Sequence, residues 1–116
     1  MKKIFAVALL VGASAFSVSA SAAGNIAAGK AAAEKFNCAS CHGKDYNTPI
    51  DPSYPKLAGQ HRDYLQHSLV AYQRGGNATN GRGNAIMGAQ AKALSKQDIA
   101  NISAYLASLP TQLTVK

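Results

Sequence analysis

The sequence predicts a small all-α protein, and two observations support that prediction. From residue 25 onward, no run of residues alternates between apolar and polar as a β-strand requires, whereas apolar residues recur at helical spacing in three segments. Two stretches rich in proline or glycine, residues 43–60 and 75–84, separate those segments and would interrupt a continuous helix. We therefore expect three to four short helices joined by two long loops.

The first helix is predicted from about Asn25 to Asn37. Asn25 belongs to a residue type that is favoured at the N-cap. Ile26, Gly29, Ala33 and Phe36 recur at helical spacing behind it. A glycine in the middle of a helix costs about 1 kcal/mol relative to alanine. The glycine at this position therefore indicates that another element packs closely against the helix.

The middle helix is predicted from about His61 to Gln73, with Leu65, Leu69 and Tyr72 on one face. Gly75 is expected to terminate it, because glycine is favoured just after the last helical residue. The ten residues from 75 to 84 contain four glycines and are predicted to be a loop.

The last helix has the clearest local signals. Ser95 at the N-cap and Asp98 three residues later form an acidic variant of the capping box, and Leu94 and Ile99 occupy the two positions of a hydrophobic staple. Pro110 is expected to end the helix. Its apolar stripe, interpreted as ordinary core, consists of Ile99, Ile102, Leu106 and Leu109.

The first 22 residues have the pattern of a signal peptide. Lys2 and Lys3 precede an unbroken apolar run from Ile4 to Val11, and Ala20-Ser21-Ala22 matches a cleavage site. An uncleaved membrane anchor is the alternative, but the apolar run is shorter than the roughly 20 residues that a spanning helix needs. We therefore predict cleavage after Ala22, with Ala20 or Ala23 as near alternatives. We also predict one mature domain at residues 23–116 without a membrane span, and a periplasmic location.

The mature chain is basic. Without Lys2 and Lys3, ten basic residues against five acidic ones leave a formal charge of +5. In an exported protein this excess does not favour nucleic-acid binding. It favours docking to an acidic surface on a partner protein.

Cys38-Ala39-Ser40-Cys41-His42 spells C-x-x-C-H, the attachment motif of a c-type haem. Each of the two thiols can add to one vinyl group of a single haem, which gives two thioether bonds. The imidazole directly after the second thiol is then held at the iron as the proximal ligand. The sequence therefore predicts one covalent haem c, attached through Cys38 and Cys41 and ligated by His42.

Three other interpretations of the cysteine pair fit the sequence less well. A thioredoxin-like redox pair would follow a strand, but a helix-favouring, alanine-rich run precedes Cys38. A zinc site could use Cys38, Cys41, His61 and His67, although the gap between the pairs exceeds zinc-finger spacing. A plain disulfide would close a very short loop and stabilise the fold little.

With these segments placed, the mature chain resembles a class I cytochrome c of the small bacterial c553/c4 type. The resemblance rests on the order of four features: C-x-x-C-H, the segment YPKLAGQ at residues 54–60, a glycine-rich loop before a methionine, and LSKQDIANISAYL at residues 94–106. It implies that the first and last helices cross near Gly29, with Tyr105 packed at the crossing.

The resemblance also implies how the haem is held. The carbonyl of Pro55 would accept a hydrogen bond from His42 and thereby set its tautomer, and Leu57 would press on the haem face. A methionine would be the sixth ligand, and Met87 is the only methionine left once Met1 is removed. The candidates for contact with the haem propionates are Tyr46, Tyr54, Tyr64, Arg62 and Arg74.

Two alternatives to Met87 as the ligand remain open. A bis-histidine iron would use His61 or His67, and Met87 would then be flexible core filler. His61 falls near the apolar face of the middle helix, and His67 falls on the opposite face.

An iron with six filled positions has no site for a substrate, so the predicted function is one-electron transfer rather than catalysis. The expected partners are redox proteins such as a respiratory complex, a terminal oxidase, or a periplasmic reductase or dehydrogenase. One alternative is a haem subunit permanently bound to a catalytic partner such as a flavoprotein dehydrogenase. Another is a five-coordinate gas sensor or peroxidase, which would require that Met87 does not bind.

Overall fold

The computed structural model describes residues 11–14 and 24–113, and within them every regular element is a helix. This confirms the all-α prediction. The five helices, in chain order, are α1 (Ile26–Lys35), α2 (Ala39–His42), α3 (Arg62–Arg74), α4 (Ala85–Lys92) and α5 (Lys96–Ser108). The signal-peptide prediction falls mostly on residues outside the described part of the chain. Among the described residues, none of the helices has the length and apolar character needed to cross a bilayer.

The predicted ends of α1, α3 and α5 agree with the structure to within about two residues, because local contacts set them. The Asn25 side chain accepts a hydrogen bond from the Ala28 N–H at 2.9 Å and begins α1. Gly75 follows α3 with a positive φ of 80°, and its N–H donates to the Ala71 carbonyl. The capping box of Ser95 is complete at the start of α5.

The first and last helices cross at Gly29, as the resemblance implies. A Cβ on Gly29 would lie 2.7 Å from the Cβ of Tyr105 and would collide with the carbonyl of Asn101. The Asn101 side chain also accepts a hydrogen bond from the backbone N–H of Asn25 at 2.8 Å. The absence of a side chain at residue 29 therefore lets α1 and α5 pack backbone against backbone.

The core lies between α1, α3 and α5 and is small. Three of its eight buried apolar residues are alanines, so few large side chains contribute to it. The residues are Ala33, Tyr46, Ala58, Leu65, Ala91, Ile99, Ile102 and Leu106. A chain of this size buries a limited share of its surface, so a covalently attached group that adds apolar area has a large effect on stability.

Helix α4 was not predicted from the sequence. The prediction placed Met87 at the end of a loop instead. The structure has Met87 in the first turn of this helix, where the Asn84 side chain accepts hydrogen bonds from the N–H groups of Ile86 and Met87. The segment is short, and its apolar residues do not repeat on one face of a helix. Its sequence pattern therefore does not distinguish it from the glycine-rich loop that precedes it.

Candidate haem site

The two cysteines are brought together by the turn from α1 into α2. Asn37 has a φ of +54°, a left-handed conformation that asparagine tolerates, and it redirects the chain after α1. Cys38 has helical dihedrals and precedes α2 directly, so Cys38 and Cys41 lie three residues apart on one helical turn. Residues at this spacing share a face. Both side chains are half-buried, and together they can hold one planar group by two bonds.

His42 ends the same turn and is 6% exposed. Its Nδ1 lies 2.9 Å from the carbonyl oxygen of Pro55. A carbonyl only accepts hydrogen bonds, so Nδ1 carries the proton and Nε2 keeps its lone pair. Among the described residues, the hydrogen bond found for this ring is the one at Nδ1. The donor set of two thiols and one oriented imidazole nitrogen therefore fits a C-x-x-C-H haem.

The loop after α2 is folded so that it returns Pro55 to His42. The Asp45 carboxylate accepts hydrogen bonds from the N–H groups of Asn47 and Thr48, each at 2.9 Å, which closes a tight turn. These bonds lower the pKa of Asp45, and the bond from the Asn47 backbone N–H has the largest effect. The carbonyl of Tyr46 then accepts from the Leu57 N–H at 2.9 Å.

The same loop is joined to the rest of the molecule at both ends. Ile50 N–H donates to the Cys41 carbonyl at 3.0 Å, and Gly59 N–H donates to the Leu106 carbonyl at 2.9 Å. Leu57 is half-buried and packs against the core, close in sequence to the carbonyl that binds His42. Backbone hydrogen bonds thus hold the 19 residues between α2 and α3, residues 43–61, without any helix, and Pro55 and Leu57 have defined places beside α2.

The other predicted site residues are placed as follows. Met87 is half-buried in the first turn of α4. His61 is exposed at the N-cap of α3, and His67 is exposed on that helix. In the described part of the chain, no three His, Cys, Asp or Glu side chains come together as a metal site would require. The four-ligand zinc site is therefore not assembled.

The environment of Cys38 is not that of a reactive thiol. Burial raises the pKa of the Cys38 thiol above its ordinary value. Thiol exchange at this residue would be favoured by the opposite shift, because the thiolate is the reactive form.

Basic residues cover the described surface. All nine lysines and arginines between residues 24 and 113 are exposed, against five acidic residues in the same range. The nine are Lys30, Lys35, Lys44, Lys56, Arg62, Arg74, Arg82, Lys92 and Lys96. This distribution is suited to an acidic partner surface.

Comparison with known proteins agrees with this site. Residues 26–110 match the family model described as cytochrome c. The chain is 42% identical over 91 residues to cytochrome c-554(548) of Halomonas halodenitrificans, which covers 74% of this chain and 98% of that protein. It is 41% identical over 93 residues to cytochrome c-554(547) of Halothiobacillus neapolitanus, covering 75% of this chain and 99% of that protein.

A solved structure extends the likeness to the fold. Reduced recombinant cytochrome c4 from Pseudomonas stutzeri superposes with a TM-score of 0.66 at 36% identity, covering 76% of this chain and 47% of that one. This chain therefore corresponds to about half of that cytochrome c4.

Fold and site together define a small class I c-type cytochrome, and the chain belongs to the cytochrome c family. As a member of that family it carries covalent haem c, and it is an electron carrier rather than an enzyme.

Sequence reasoning missed the residues that attach α4 to α3. Arg82 and Gln73 make these contacts, and neither belongs to a motif. Asn84 was recoverable, because an asparagine before an alanine-rich segment is a helix start signal.

Proposed function

We propose that the chain is a periplasmic one-electron carrier whose single haem c is attached through Cys38 and Cys41 and ligated by His42 and Met87. The geometry at His42 is the main support. Its Nδ1 donates to the Pro55 carbonyl, so the ring is fixed in the tautomer that offers Nε2 to a metal. The two thiols lie on the helical turn that ends at the same histidine.

When bound, haem c would supply one redox-active iron, which His42 and Met87 would ligate, and the thioether of Met87 would favour the ferrous state. The chain's own residues have positioning tasks. The Pro55 carbonyl holds the His42 ring in one orientation, and Leu57, two residues further on, packs against the core. Met87 is held at the start of α4 by the cap at Asn84.

The proposed location rests on residues 1–22 acting as a signal peptide that leaves the domain at 23–116. The proposed partners are redox proteins with acidic docking surfaces, such as a respiratory complex, a terminal oxidase or a periplasmic reductase. The excess of exposed basic residues supports this choice of surface.

Replacing Met87 by alanine tests the ligand assignment. Met87→Ala should keep its haem through acid–acetone extraction, because attachment depends on the cysteines. Its ferric form should lose the weak sulfur-to-iron charge-transfer band in the far red. The reduction potential should fall, because a soft ligand that favours Fe(II) is lost, and the ferrous form should gain affinity for carbon monoxide.

His61→Ala is the matched control, because His61 is exposed and should alter none of these properties. A bis-histidine iron would give the opposite pattern. Met87→Ala would then keep its charge-transfer band and reduction potential, and His61→Ala would have a changed low-spin spectrum. Tight carbon monoxide binding by the unmodified reduced protein would show an open sixth position and contradict the proposal.

Purification from the native periplasm distinguishes a free carrier from a bound haem subunit. The free carrier should elute alone at the size of one small domain. A catalytic subunit that co-purifies at a stoichiometric ratio would replace the proposal with that of a permanent complex.

A further inference from the structure

The glycine-rich loop between α3 and α4 has only a few contacts that define its shape. A Cβ on Gly76 would lie 2.9 Å from the Cα of Gly83, so the two limbs of the loop touch at its neck. At the same end, the Arg82 N–H donates to the Ala71 carbonyl of α3 at 2.9 Å. Glycines flank Arg82 on both sides, so in residues 81–83 Arg82 provides the only side chain that can pack.

The Arg82 guanidinium lies against two tyrosines of α3. Its central carbon is 5.4 Å from the ring centroid of Tyr64 and 5.7 Å from that of Tyr72. One of its nitrogens also donates to the Tyr64 hydroxyl at 3.2 Å, and this bond lowers the pKa of Tyr64. A planar guanidinium can face an aromatic ring and donate hydrogen bonds in its own plane at the same time, whereas a lysine ammonium has no plane to place against the ring.

The opposite end of α4 is attached to the same helix. The Gln73 side-chain amide donates to the carbonyls of Ala91 and Leu94, each at 2.9 Å. Gly88 lies between the two attachments, where a Cβ would be 3.8 Å from the Tyr72 carbonyl. Helix α4 is therefore held on α3 at both ends, and Met87 lies next to the end that Arg82 controls.

We propose that Arg82 is a positioning residue for the sixth ligand: by clamping the loop onto Tyr64 and Tyr72 of α3, it fixes the first turn of α4 and with it Met87. This inference rests on the proposed ligation by Met87. Arg82 acts through Asn84, whose side chain accepts the Met87 N–H at 2.9 Å, and it need not contact the methionine itself.

Imidazole competition measures this role directly, because added imidazole displaces a methionine ligand more easily when the methionine is poorly held. The ferric holoprotein is titrated with imidazole, and loss of the charge-transfer band gives the apparent Kd. Arg82→Ala should bind imidazole about tenfold more tightly than the unmodified protein, since two cation–π contacts and a hydrogen bond are lost. Arg82→Lys should fall between them.

Lys30→Ala is the matched control, because Lys30 is an exposed basic residue on α1 and has no assigned contact with the haem. It should leave the imidazole Kd within about twofold, as surface substitutions usually do. A shift in Lys30→Ala as large as that in Arg82→Ala would indicate a general charge effect and overturn the clamp. An imidazole Kd in Arg82→Ala equal to that of the unmodified protein would also overturn it.

A double-mutant cycle with Tyr64→Leu separates the clamp from general loosening of the fold. If the two residues act together, Tyr64→Leu and Arg82→Ala should each tighten imidazole binding, and the double variant should tighten it little further. Fully additive effects would refute the clamp. Absence of the charge-transfer band in the unmodified protein would instead refute ligation by Met87, so the two failures are distinguishable.

Discussion

Gly29 lies at the point where α1 and α5 approach most closely. Gly29→Ala should lower the free energy of unfolding by about 2 kcal/mol, although alanine gains about 1 kcal/mol in helix propensity. The reason is that the new methyl would be 2.7 Å from the Cβ of Tyr105 and would strike the Asn101 carbonyl. Urea unfolding of the holoprotein measures the loss.

The control for this prediction is Ala31→Gly, at an exposed position in the same helix. It should cost about 1 kcal/mol through propensity alone. If Gly29→Ala proved as stable as the unmodified protein, the helices would be able to separate without cost and the close crossing would not limit stability.

Tyr46 is buried at 3% exposure and packs edge-on against Tyr105, with ring centroids 6.1 Å apart. Burial raises the pKa of Tyr46 from 10.0 to about 12. The folded-state pKa is the higher one, so the stability from the neutral hydroxyl is fully present below pH 10 and is lost as the pH rises towards 12. The loss is on the order of 2 kcal/mol.

Tyr46→Phe should therefore reduce the decline in stability between pH 10 and 12, because phenylalanine has no proton to lose. The measurement is the free energy of unfolding in urea at pH 9 and pH 11.5 for both proteins. An equal decline in both would mean that Tyr46 does not contribute to alkaline destabilisation.

At the scale of single elements, α5 depends on its capping box. The Ser95 hydroxyl accepts the Asp98 N–H at 3.0 Å, and the Asp98 carboxylate accepts the Ser95 N–H at 2.9 Å. Ser95→Ala should cost about 1 kcal/mol, because an N–H at the helix start loses its partner. Urea unfolding at neutral pH gives the value.

Ser108→Ala is the comparison for that measurement. Ser108 is exposed at the other end of α5, and its hydroxyl donates to the Tyr105 carbonyl within the same turn. Its loss should change stability by less than about 0.5 kcal/mol. Equal effects at the two serines would argue that the box adds nothing beyond a single exposed hydrogen bond.

For the whole molecule, the basic surface predicts salt-dependent electron transfer. The formal charge is +7 for the full sequence and +5 without Lys2 and Lys3. Electron transfer to an acidic redox protein should slow as ionic strength rises, because the screening length falls to about 10 Å at 0.1 M. Stopped-flow rates at 10 mM and 300 mM salt test this.

Reaction with an uncharged small-molecule oxidant is the control and should be nearly independent of salt. The haem propionates carry negative charge and reduce the net positive charge, so the expected effect is moderate. A rate to the acidic protein that does not respond to salt would remove charge complementarity as the basis of docking.

The sequence by itself determined the features that depend on neighbouring residues. The caps at Asn25 and Ser95 and the glycine end of α3 involve groups within four residues of one another, so a local pattern is sufficient to predict them. The C-x-x-C-H motif is also local, because the spacing of its residues is set by one helical turn. The resemblance added the contact between His42 and Pro55, which spans 13 residues and which local pattern alone does not predict.

Only the tertiary structure decided how Met87 is held. Helix α4 has no amphipathic pattern, and its attachments join residues that lie 10 to 21 positions apart in the chain, such as Arg82 with Tyr64 and Gln73 with Leu94. Which of the many tyrosines and carbonyls a side chain meets depends on how α3 and α4 pack, and packing is a property of the assembled helices. The position of Met87 in a helical turn clamped to α3 therefore emerges only when the chain is folded.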